Sequence, residues 1–522
     1  MLLDYFRILR PTDLAPLVGI LLSTLVLYLA FPITRRAKLP LINGKRPGEI
    51  WATDAINRFL SDSESLLKEG FEKSENGFYL GTDNGTMLIL PMRYATSIRD
   101  TTGLSFSLFA RDLFHWHIGG LEAFQPNHVV HETVNKKLTR KLESLVDPLS
   151  AVTAATLREH WADCSDWSKI TLSDSILAIF TKVSSRVFLG EDLYQTPEWI
   201  QLLQDYMVDS YVAVGSLRRW PVPFRPLVAN FLPSVHKARK LIQGARDIIN
   251  PVVEERRAAP ETTTETCGLD WIDETASALG VPYDPAVAQL GLSLGSVNTG
   301  ADMVTQLLFD ICGQEKLVRD LRQEIIAVLR HEEEEVAAAM SEDSGSRKTS
   351  RKALLYKLKL LDSVMKESQR LKPLASVMVT RTAQREVTLP EGIVLPRGSY
   401  VGISNYEMRR AGSPMGAEFD GYRYYNLRES TGDETWTQFV STGPKVMGFG
   451  YGQYACPGRF FASDQIKIFM CHLLLKFDFK LPPGEGRPPV YTSGFSLIAN
   501  PTAQILIRKR EAEVDLDAIL GL

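Results

Sequence analysis

Apolar residues along this chain follow two different spacings, and the longer one dominates. Apolar positions three and four residues apart, the spacing of helices that bury one face, run through most of 127–329 and return at 458–477. Segments typical of strands are shorter and fall at 77–91 and 376–403. The pattern predicts a mainly α fold with a small β portion, built as one integrated domain.

The clearest strand-like segment is a predicted β-hairpin at 77–91. Asp83-Asn84-Gly85 separates two apolar runs, and Asn-Gly is a pair that two-residue hairpin turns favour. In the later segment, a Pro-Glu-Gly and a Pro-Arg-Gly sequence mark two more turns. Short strands joined by tight turns are therefore expected in both regions.

An uncharged apolar run of 18 residues, Leu14 to Phe31, stands apart from this pattern. As a helix it would be about 27 Å long, close to the hydrocarbon thickness of a bilayer. Arg35, Arg36 and Lys38 follow, and basic residues mark the cytosolic side of a span. We expect one N-terminal transmembrane helix in the endoplasmic reticulum membrane, with the catalytic bulk in the cytosol. A cleaved signal peptide is the alternative, but no small-residue cleavage site follows the run.

These features divide the chain into four parts. The predicted boundaries are an N-terminal tail at 1–13, a transmembrane anchor at 14–33, a proline-rich linker at 34–50 and a catalytic domain at 51–522. Pro40, Gly44, Pro47 and Gly48 favour an irregular backbone in the linker.

Composition and charge narrow the class of protein. The 522 residues are 44% hydrophobic and 23% charged, which is typical of a globular chain, and the net charge is −3. This balance gives no positive field, so we expect no nucleic-acid partner. The five cysteines are scattered and form no C-x-x-C pair, so neither a disulfide framework nor a zinc site is expected.

The stretch Phe449 to Gly458, FGYGQYACPG, surrounds one cysteine with residues that shape the backbone. Gly450 and Gly458 permit a positive φ or close backbone approach, and Pro457 fixes a turn. A helical pattern follows directly, so backbone N–H groups and the helix dipole favour a thiolate at Cys456. A nucleophile would need a His or Asp partner that no local pattern supplies, and an inert buried cysteine would not need this loop. The aromatic residues suit a flat apolar cofactor, which indicates haem with an axial thiolate.

This stretch resembles the haem-binding signature of the cytochrome P-450 family. Phe449, Gly452, Cys456 and Gly458 reproduce its spacing F-x-x-G-x-x-x-C-x-G. The resemblance implies a P-450 fold, haem b as the cofactor and Cys456 as the ligand of the iron. It also implies that Phe449, Gly450 and Gly458 belong to the cofactor-binding loop.

A second signature of the same family lies upstream. Glu367 and Arg370 match its E-x-x-R pair, and residues three apart share one face of a helix. Arg423, in EFDGYRYY, is similar to the third charge that joins the pair in the family. The resemblance implies a structural triad that holds the fold around the haem.

A third and weaker signature lies in LGLSLGSVNTGADMVTQLLFDI. Gly295, Asn298 and Thr299 fall where the oxygen-binding helix of the family carries a small residue, an acid and a threonine. The resemblance implies a local distortion of the helix there, with Thr299 and Asn298 in catalytic roles. Because an amide does not ionise, a proton relay would need water, Thr299 or another carboxylate.

Two more residues resemble family contacts to the haem propionates. Arg381, beyond the E-x-x-R helix, matches a propionate-binding arginine, and His131 lies in a segment similar to an early propionate-contacting helix. Tyr454 stands where many relatives carry a basic residue, so hydrogen bonding replaces charge there. We expect Arg381 and His131 to bind the cofactor.

The resemblance implies a membrane-anchored haem-thiolate monooxygenase that oxidises a lipophilic small molecule with dioxygen. An NADPH-cytochrome reductase in the same membrane would supply electrons, since the chain has no G-x-G-x-x-G fingerprint. KRPGE and ACPGRFFA resemble the filamentous-fungal branch that oxidises terpenoid and meroterpenoid intermediates of secondary metabolism. A haem-thiolate isomerase or dehydratase without net monooxygenation stays open because of Asn298, as does a haem-binding sensor or carrier.

Overall fold

The computed structural model describes residues 39–49, 52–259, 266–341, 350–410 and 412–517. Within these ranges no helix is long and apolar enough to cross a membrane. The predicted tail and anchor, at 1–13 and 14–33, lie outside the described residues. The anchor therefore stays a prediction.

Helices make up most of the described chain, as the spacing of apolar residues predicts. In chain order they are α1 (Thr53–Ser61), α2 (Ser63–Lys73), α3 (Ala95–Asp100), α4 (Phe106–Phe114), α5 (His128–Thr133), α6 (Thr139–His160), α7 (Leu172–Leu189), α8 (Pro197–Arg218), α9 (Arg225–Val228), α10 (Pro233–Ala258), α11 (Gly268–Leu279), α12 (Pro285–Ile311), α13 (Glu315–Ser341), α14 (Arg351–Lys357), α15 (Lys359–Leu371), α16 (Tyr406–Arg409), α17 (Arg423–Thr431) and α18 (Arg459–Lys476). A π-helical turn, Val134–Leu138, joins α5 to α6.

The β portion is small, which confirms the predicted fold class. Its strands are β1 (Leu41–Ile42), β2 (Phe78–Thr82), β3 (Gly85–Leu90), β4 (Leu104–Ser105), β5 (Ser168–Thr171), β6 (Val377–Ala383), β7 (Val387–Thr388), β8 (Val394–Leu395), β9 (Tyr400–Ser404), β10 (Phe477–Lys480), β11 (Tyr491–Ser493), β12 (Ser496–Ile498) and β13 (Gln504–Lys509). The largest sheet has the order β1-β2-β3-β9-β6-β4. A three-stranded sheet, β10-β13-β5, and the hairpins β11–β12 and β7–β8 complete the described strands.

The predicted hairpin is confirmed, and it connects two parts of the chain. β2 and β3 pair antiparallel and turn at Asp83-Asn84, with Thr82 opposite Gly85. β1 pairs parallel with β2, so Leu41 and Ile42 of the predicted linker join the sheet beside Tyr79 and Leu80.

Helix α12 runs through the main apolar core and has well-defined ends. The Asp284 side chain accepts a hydrogen bond from the Val287 N–H at 3.1 Å, and Pro285 occupies the first turn. Gly313, with φ of 83°, follows the last turn. Apolar side chains of α12 pack with those of α7, α10 and α18, which fixes the helix at the centre of the fold.

Candidate active site

The loop that carries Cys456 is closed on itself by backbone hydrogen bonds. Gly450 and Gly452 both adopt a φ of 76°, which favours glycine at these two positions. The Cys456 N–H donates to the Phe449 carbonyl at 2.7 Å, and the Gly450 N–H donates to the Met447 carbonyl at 2.8 Å. The glycines therefore form the tight loop that the sequence predicts, directly before α18 begins at Arg459.

The Cys456 thiol differs from the other four in its surroundings. Cys456 is half-buried, whereas the rest are buried. Burial raises its pKa, while the Arg459 guanidinium and the backbone N–H groups of Gly458 and Arg459 act in the opposite direction. These donors suit a sulfur that carries negative charge once a cation binds it.

Three neighbours hold this loop in place, and sequence reasoning missed all three contacts. A Cβ on Gly448 would lie 2.2 Å from the Gln369 side-chain oxygen, so the loop backbone rests directly on Gln369. The Arg99 guanidinium donates to the Tyr451 hydroxyl at 2.6 Å and stacks on its ring. Phe449 packs edge-on against Phe439, with ring centres 5.0 Å apart. In the sequence, the glycine at position 448 was the one signal of the close contact with Gln369.

Arg381 provides the strongest test of whether the site fits haem. It is 3% exposed, and among the described residues its guanidinium meets no carboxylate. Its partners are the Thr380 carbonyl at 2.8 Å and the rings of Tyr454 and Phe106, at 4.6 and 5.9 Å. Burial lowers its pKa to about 10. A buried cation without an anion is costly, so this position fits a carboxylate-bearing group such as haem b.

The strand that carries Arg381 is irregular at this point. The pairing of β6 with β9 shifts by one residue between Met378 and Arg381, and Val379 adopts a φ of 52°. A positive φ is an outlier for a β-branched residue. The bulge turns the strand beside the Cys456 loop, where Arg381 meets Tyr454.

The distortion that the sequence predicts in α12 at Gly295–Thr299 is not present, which corrects that prediction. Helix α12 is continuous from Gly295 through Thr299. The Thr299 hydroxyl donates to the Gly295 carbonyl at 2.9 Å, a bond compatible with regular helix. A Cβ on the exposed Gly295 would meet no atom within 4 Å, so the helix surface is open at this residue. Asn298 is half-buried, and among the described residues its amide has no hydrogen-bond partner.

His131 lies in α5, one turn before a residue that contacts the Cys456 loop. The Asn135 amide lies 3.2 Å from its Nδ1. One turn further on, the Val134 side chain lies 3.9 Å from where a Cβ on Gly458 would stand. The segment α5 and its π-helical continuation therefore pack on the Cys456 loop, and cofactor binding by His131 stays a prediction.

The predicted charge triad is present in full. Arg370 holds the Glu367 carboxylate with two hydrogen bonds, at 2.7 and 2.8 Å, and Arg423 adds a third at 3.0 Å. Glu367 is fully buried, and the Asp420 N–H also donates to it at 3.2 Å. Four donors on one carboxylate satisfy a charge that would otherwise be costly to bury.

A second polar network near α12 was also missed. Asp302, one turn beyond Thr299, binds the Ala499 N–H at 2.7 Å. Gln306, four residues later, donates to the Leu497 carbonyl at 3.3 Å. The polar spacing of four residues in an apolar helix was a sequence signal for this contact.

Comparisons with known proteins agree with this geometry. The model of the cytochrome P450 family matches residues 125–507. The cytochrome P450 monooxygenases adrA of Penicillium rubens and esdpI of Penicillium shearii are 37% and 38% identical, over 98% and 95% of this chain and 100% and 96% of theirs. Trt6 of Aspergillus terreus, another such monooxygenase, is 38% identical over 90% of this chain and 94% of its own.

A solved structure supports the fold. Retinoic acid bound cyanobacterial CYP120A1 superposes with a TM-score of 0.65 and 16% identity, over 91% of this chain and 100% of that one. At 16% identity this structure supports the fold alone. The assignment to a family rests on the family model and the fungal relatives. The chain belongs to the cytochrome P450 family, whose members bind haem through a cysteine thiolate and act as monooxygenases.

Proposed function

We propose that Cys456 is the axial thiolate of the haem iron and that Arg381 binds a haem propionate. The observation that carries this proposal is the contact between the buried Arg381 cation and Tyr454 of the Cys456 loop, at 4.6 Å. The Arg381 cation and the Cys456 thiol therefore belong to one site. The cation suits the carboxylates of haem, and the thiol suits its iron. Phe449, Gly450 and Gly458 shape the backbone around the sulfur.

Bound haem supplies dioxygen activation, and this chain supplies its surroundings. Backbone donors at Gly458 and Arg459 stabilise negative charge on the Cys456 sulfur. We propose that the Thr299 hydroxyl, which donates to the Gly295 carbonyl beside the open space at Gly295, exchanges hydrogen bonds on the substrate side of the site. Asn298 holds a second polar group on the same turn. We assign Thr299 and Asn298 to the catalytic face of α12 on this basis.

The proposed substrate is a lipophilic terpenoid or meroterpenoid intermediate of fungal secondary metabolism. Cytochrome P450 monooxygenases of Penicillium and Aspergillus are among the relatives that cover most of the chain. This agrees with the resemblance of KRPGE and ACPGRFFA to the fungal branch. The reaction is the hydroxylation or further oxidation of a carbon centre, with electrons from an NADPH-cytochrome reductase.

We also propose that the protein is a single-pass protein of the endoplasmic reticulum membrane. The apolar run at 14–31 supports it, and so does an exposed apolar segment between α8 and α10. The large apolar side chains of that segment are 46% to 75% exposed: Trp220, Val222, Phe224, Leu227 and Phe231. Exposed apolar patches of this kind mark contact with a membrane or a partner.

The hairpin β2–β3 connects this apolar segment to the N-terminal end of the described chain. Arg218, just before the segment, and Arg225, within it, donate to Asp83 and Asn84 of the hairpin turn, at 2.7 and 3.0 Å. Strand β1, which leads back toward the predicted anchor, pairs with the same hairpin. One lipid surface would therefore contact both the anchor and the segment.

Asn298 favours a second candidate function. A haem-thiolate isomerase or dehydratase needs no external protons for oxygen activation, and an amide at this position removes one proton donor. The two candidates differ in their need for dioxygen and for the reductase.

The experiment is turnover of a terpenoid panel by membranes that contain the full chain and an NADPH-cytochrome reductase. Under ¹⁸O₂, a monooxygenase adds one ¹⁸O per oxidised product and stops without NADPH. Product formation without NADPH, or without label, would establish the isomerase or dehydratase instead.

Membrane contact is tested by quenching of tryptophan fluorescence with brominated lipids, which Trp220→Phe should diminish. Trp167→Phe is the matched control, because the Trp167 ring packs against Lys480 and Arg508, outside the apolar segment.

A further inference from the structure

A stripe of polar side chains follows one face of the otherwise apolar helix α12. Its members, Asn298, Asp302, Gln306 and Asp310, are spaced by four residues, and this spacing places side chains on one face. Asp310 is 3% exposed and Gln306 is likewise buried. The stripe begins at the turn of Thr299 and continues toward the C-terminal end of the helix.

The upper part of the stripe is held by hydrogen bonds. One carboxylate oxygen of Asp302 accepts from the Ala499 N–H at 2.7 Å, and the other accepts from the Gln306 amide at 3.3 Å. Asp302 thus joins α12 to the segment that follows β12. Its carboxylate lies one turn from Thr299, closer along α12 than any other ionisable side chain.

The lower part of the stripe reaches solvent through charged groups. Lys372 donates to the Gln306 carbonyl at 3.2 Å and to the Asp310 carboxylate. Ser368 also donates to Asp310, at 2.6 Å. Arg487 pairs with the other oxygen of Asp310, and 40% of the Arg487 side chain is exposed. Polar contacts therefore extend from Asp302 to the surface of the protein.

Neutral side chains would be enough to hold α12 against the segment after β12. The buried ionisable groups Asp302, Asp310 and Lys372 therefore require another explanation. Removing ions from water costs several kcal/mol per group, and a neutral amide would accept the Ala499 N–H equally well. Burial raises the pKa of Asp302, while the hydrogen bonds from the Ala499 N–H and the Gln306 amide, and then the Lys372 charge, oppose that rise. Burial lowers the pKa of Lys372 to about 8, against the opposing effect of Asp310. Lys372 can therefore exchange protons close to neutral pH.

Monooxygenation, the reaction of the family, consumes protons inside the buried site. Monooxygenation follows RH + O₂ + 2e⁻ + 2H⁺ → ROH + H₂O, so each turnover consumes two protons inside the site. Electrons come from the reductase, whereas protons come from solvent. Asn298 does not ionise, so an ionisable group near Thr299 must replace it or water alone must serve.

We propose that Asp302 delivers these protons to the turn of Thr299, and that Lys372 and Asp310 connect it to solvent at Arg487. The proposal rests on the function proposed for the Cys456 site. Asp302 releases a proton toward Thr299 and becomes a carboxylate. The Lys372 ammonium returns a proton to it, and solvent at the Asp310–Arg487 pair restores the ammonium. Groups of the relay that are not in hydrogen-bond contact would exchange protons through water between them.

The test compares Asp302→Asn with the wild-type protein in the reductase-supported membrane system. The substrate is the panel terpenoid that gives the largest substrate-induced shift of the haem spectrum. Asp302→Asn keeps an oxygen for the Ala499 N–H and loses the proton, so we expect about 100-fold slower product formation. A larger share of electrons should leave as superoxide, which forms hydrogen peroxide with protons taken from solvent. With iodosylbenzene, PhIO + RH → PhI + ROH consumes no protons, and both proteins should form product equally.

Glu324→Gln is the matched control. Glu324 is also a carboxylate whose pKa burial raises, and it accepts the N–H groups of Leu360 and Leu361 at 2.6 and 3.0 Å, outside the stripe. This variant should match the wild type in product and peroxide.

Hydrogen–deuterium exchange of the peptide at 495–500 separates a relay from a structural role. We expect exchange in Asp302→Asn to equal that of the wild type, since the bond to Ala499 persists. Wild-type coupling in this variant would overturn the relay, and so would faster exchange accompanied by slow turnover with iodosylbenzene. A wild-type protein without a thiolate-type carbon monoxide spectrum would instead overturn the function proposed for the Cys456 site.

Discussion

The guanidinium of Arg381 lies 4.6 Å from the centre of the Tyr454 ring, so a buried cation contacts the loop that carries the candidate thiolate. Among the described residues no carboxylate neutralises Arg381. Because an unpaired buried charge destabilises a fold, the arrangement favours binding of an anionic cofactor.

Arg381→Leu should weaken haem binding about 10- to 100-fold, the effect of losing a charged hydrogen bond of ~1.5–3 kcal/mol. The haem-to-protein ratio after purification and the rate of haem transfer to apomyoglobin measure this. Arg385→Leu, at an exposed position after the same strand, should retain wild-type affinity. Equal haem retention in both variants would contradict the assignment of Arg381.

Glu367→Gln should destabilise the fold by about 3–5 kcal/mol, because it leaves Arg370 buried without its anion. Arg370 and Glu367 have side-chain exposures of 1% and 0%, so solvent cannot replace the lost partner. Urea unfolding of the purified protein measures the change. Glu69→Gln removes an exposed pair with Lys73 and should change stability by less than about 1 kcal/mol.

Gly448→Ala should displace the Cys456 loop, since the added Cβ would lie 2.2 Å from the Gln369 side chain. The expected result is loss of the thiolate-type carbon monoxide spectrum in folded protein. Truncating the obstacle, in the double variant Gly448→Ala/Gln369→Ala, should restore much of that spectrum. Gly443→Ala, where a Cβ meets no atom within 4 Å, should behave as wild type.

Asp464 should make the protein less stable as the pH rises. Burial raises its pKa from 3.8 to about 6, so the folded state binds this proton more tightly than the unfolded state. Stability therefore falls between about pH 4 and pH 6, and the loss of about 2–3 kcal/mol is complete above that range. Asp464→Asn lacks this loss and should unfold at a higher temperature than wild type at pH 8.

The difference between the thermal midpoints of the two proteins should shrink from pH 8 to pH 5 and vanish below about pH 4, where Asp464 is protonated in both the folded and the unfolded state. Glu429→Gln, on the exposed face of α17, is the control and should follow the wild-type pH profile. A constant difference between Asp464→Asn and wild type from pH 5 to pH 8 would contradict the raised pKa.

Sequence reasoning worked where short-range spacing determines structure. The hairpin turn at Asp83-Asn84, the Glu367–Arg370 pair and the glycines before α18 each depend on residues close in the chain. Local geometry is largely fixed by such neighbours, which is why these elements appear as predicted.

The contacts that sequence reasoning missed join distant parts of the chain. Asp302 and Ala499 are 197 residues apart, and no local pattern specifies that contact. The regular helix at Thr299 was missed for a different reason: its hydroxyl is satisfied by the Gly295 carbonyl, so nothing forces a distortion. Tertiary packing decides both cases.

The most direct test of the central claim is a carbon monoxide difference spectrum of the dithionite-reduced protein in membranes, for wild type and Cys456→Ala. The account predicts a strongly red-shifted Soret band in wild type, which indicates an intact thiolate on the iron, and its loss in the variant. A wild-type haem without that shift, or a variant that keeps it, would contradict the assignment of Cys456 as the iron ligand.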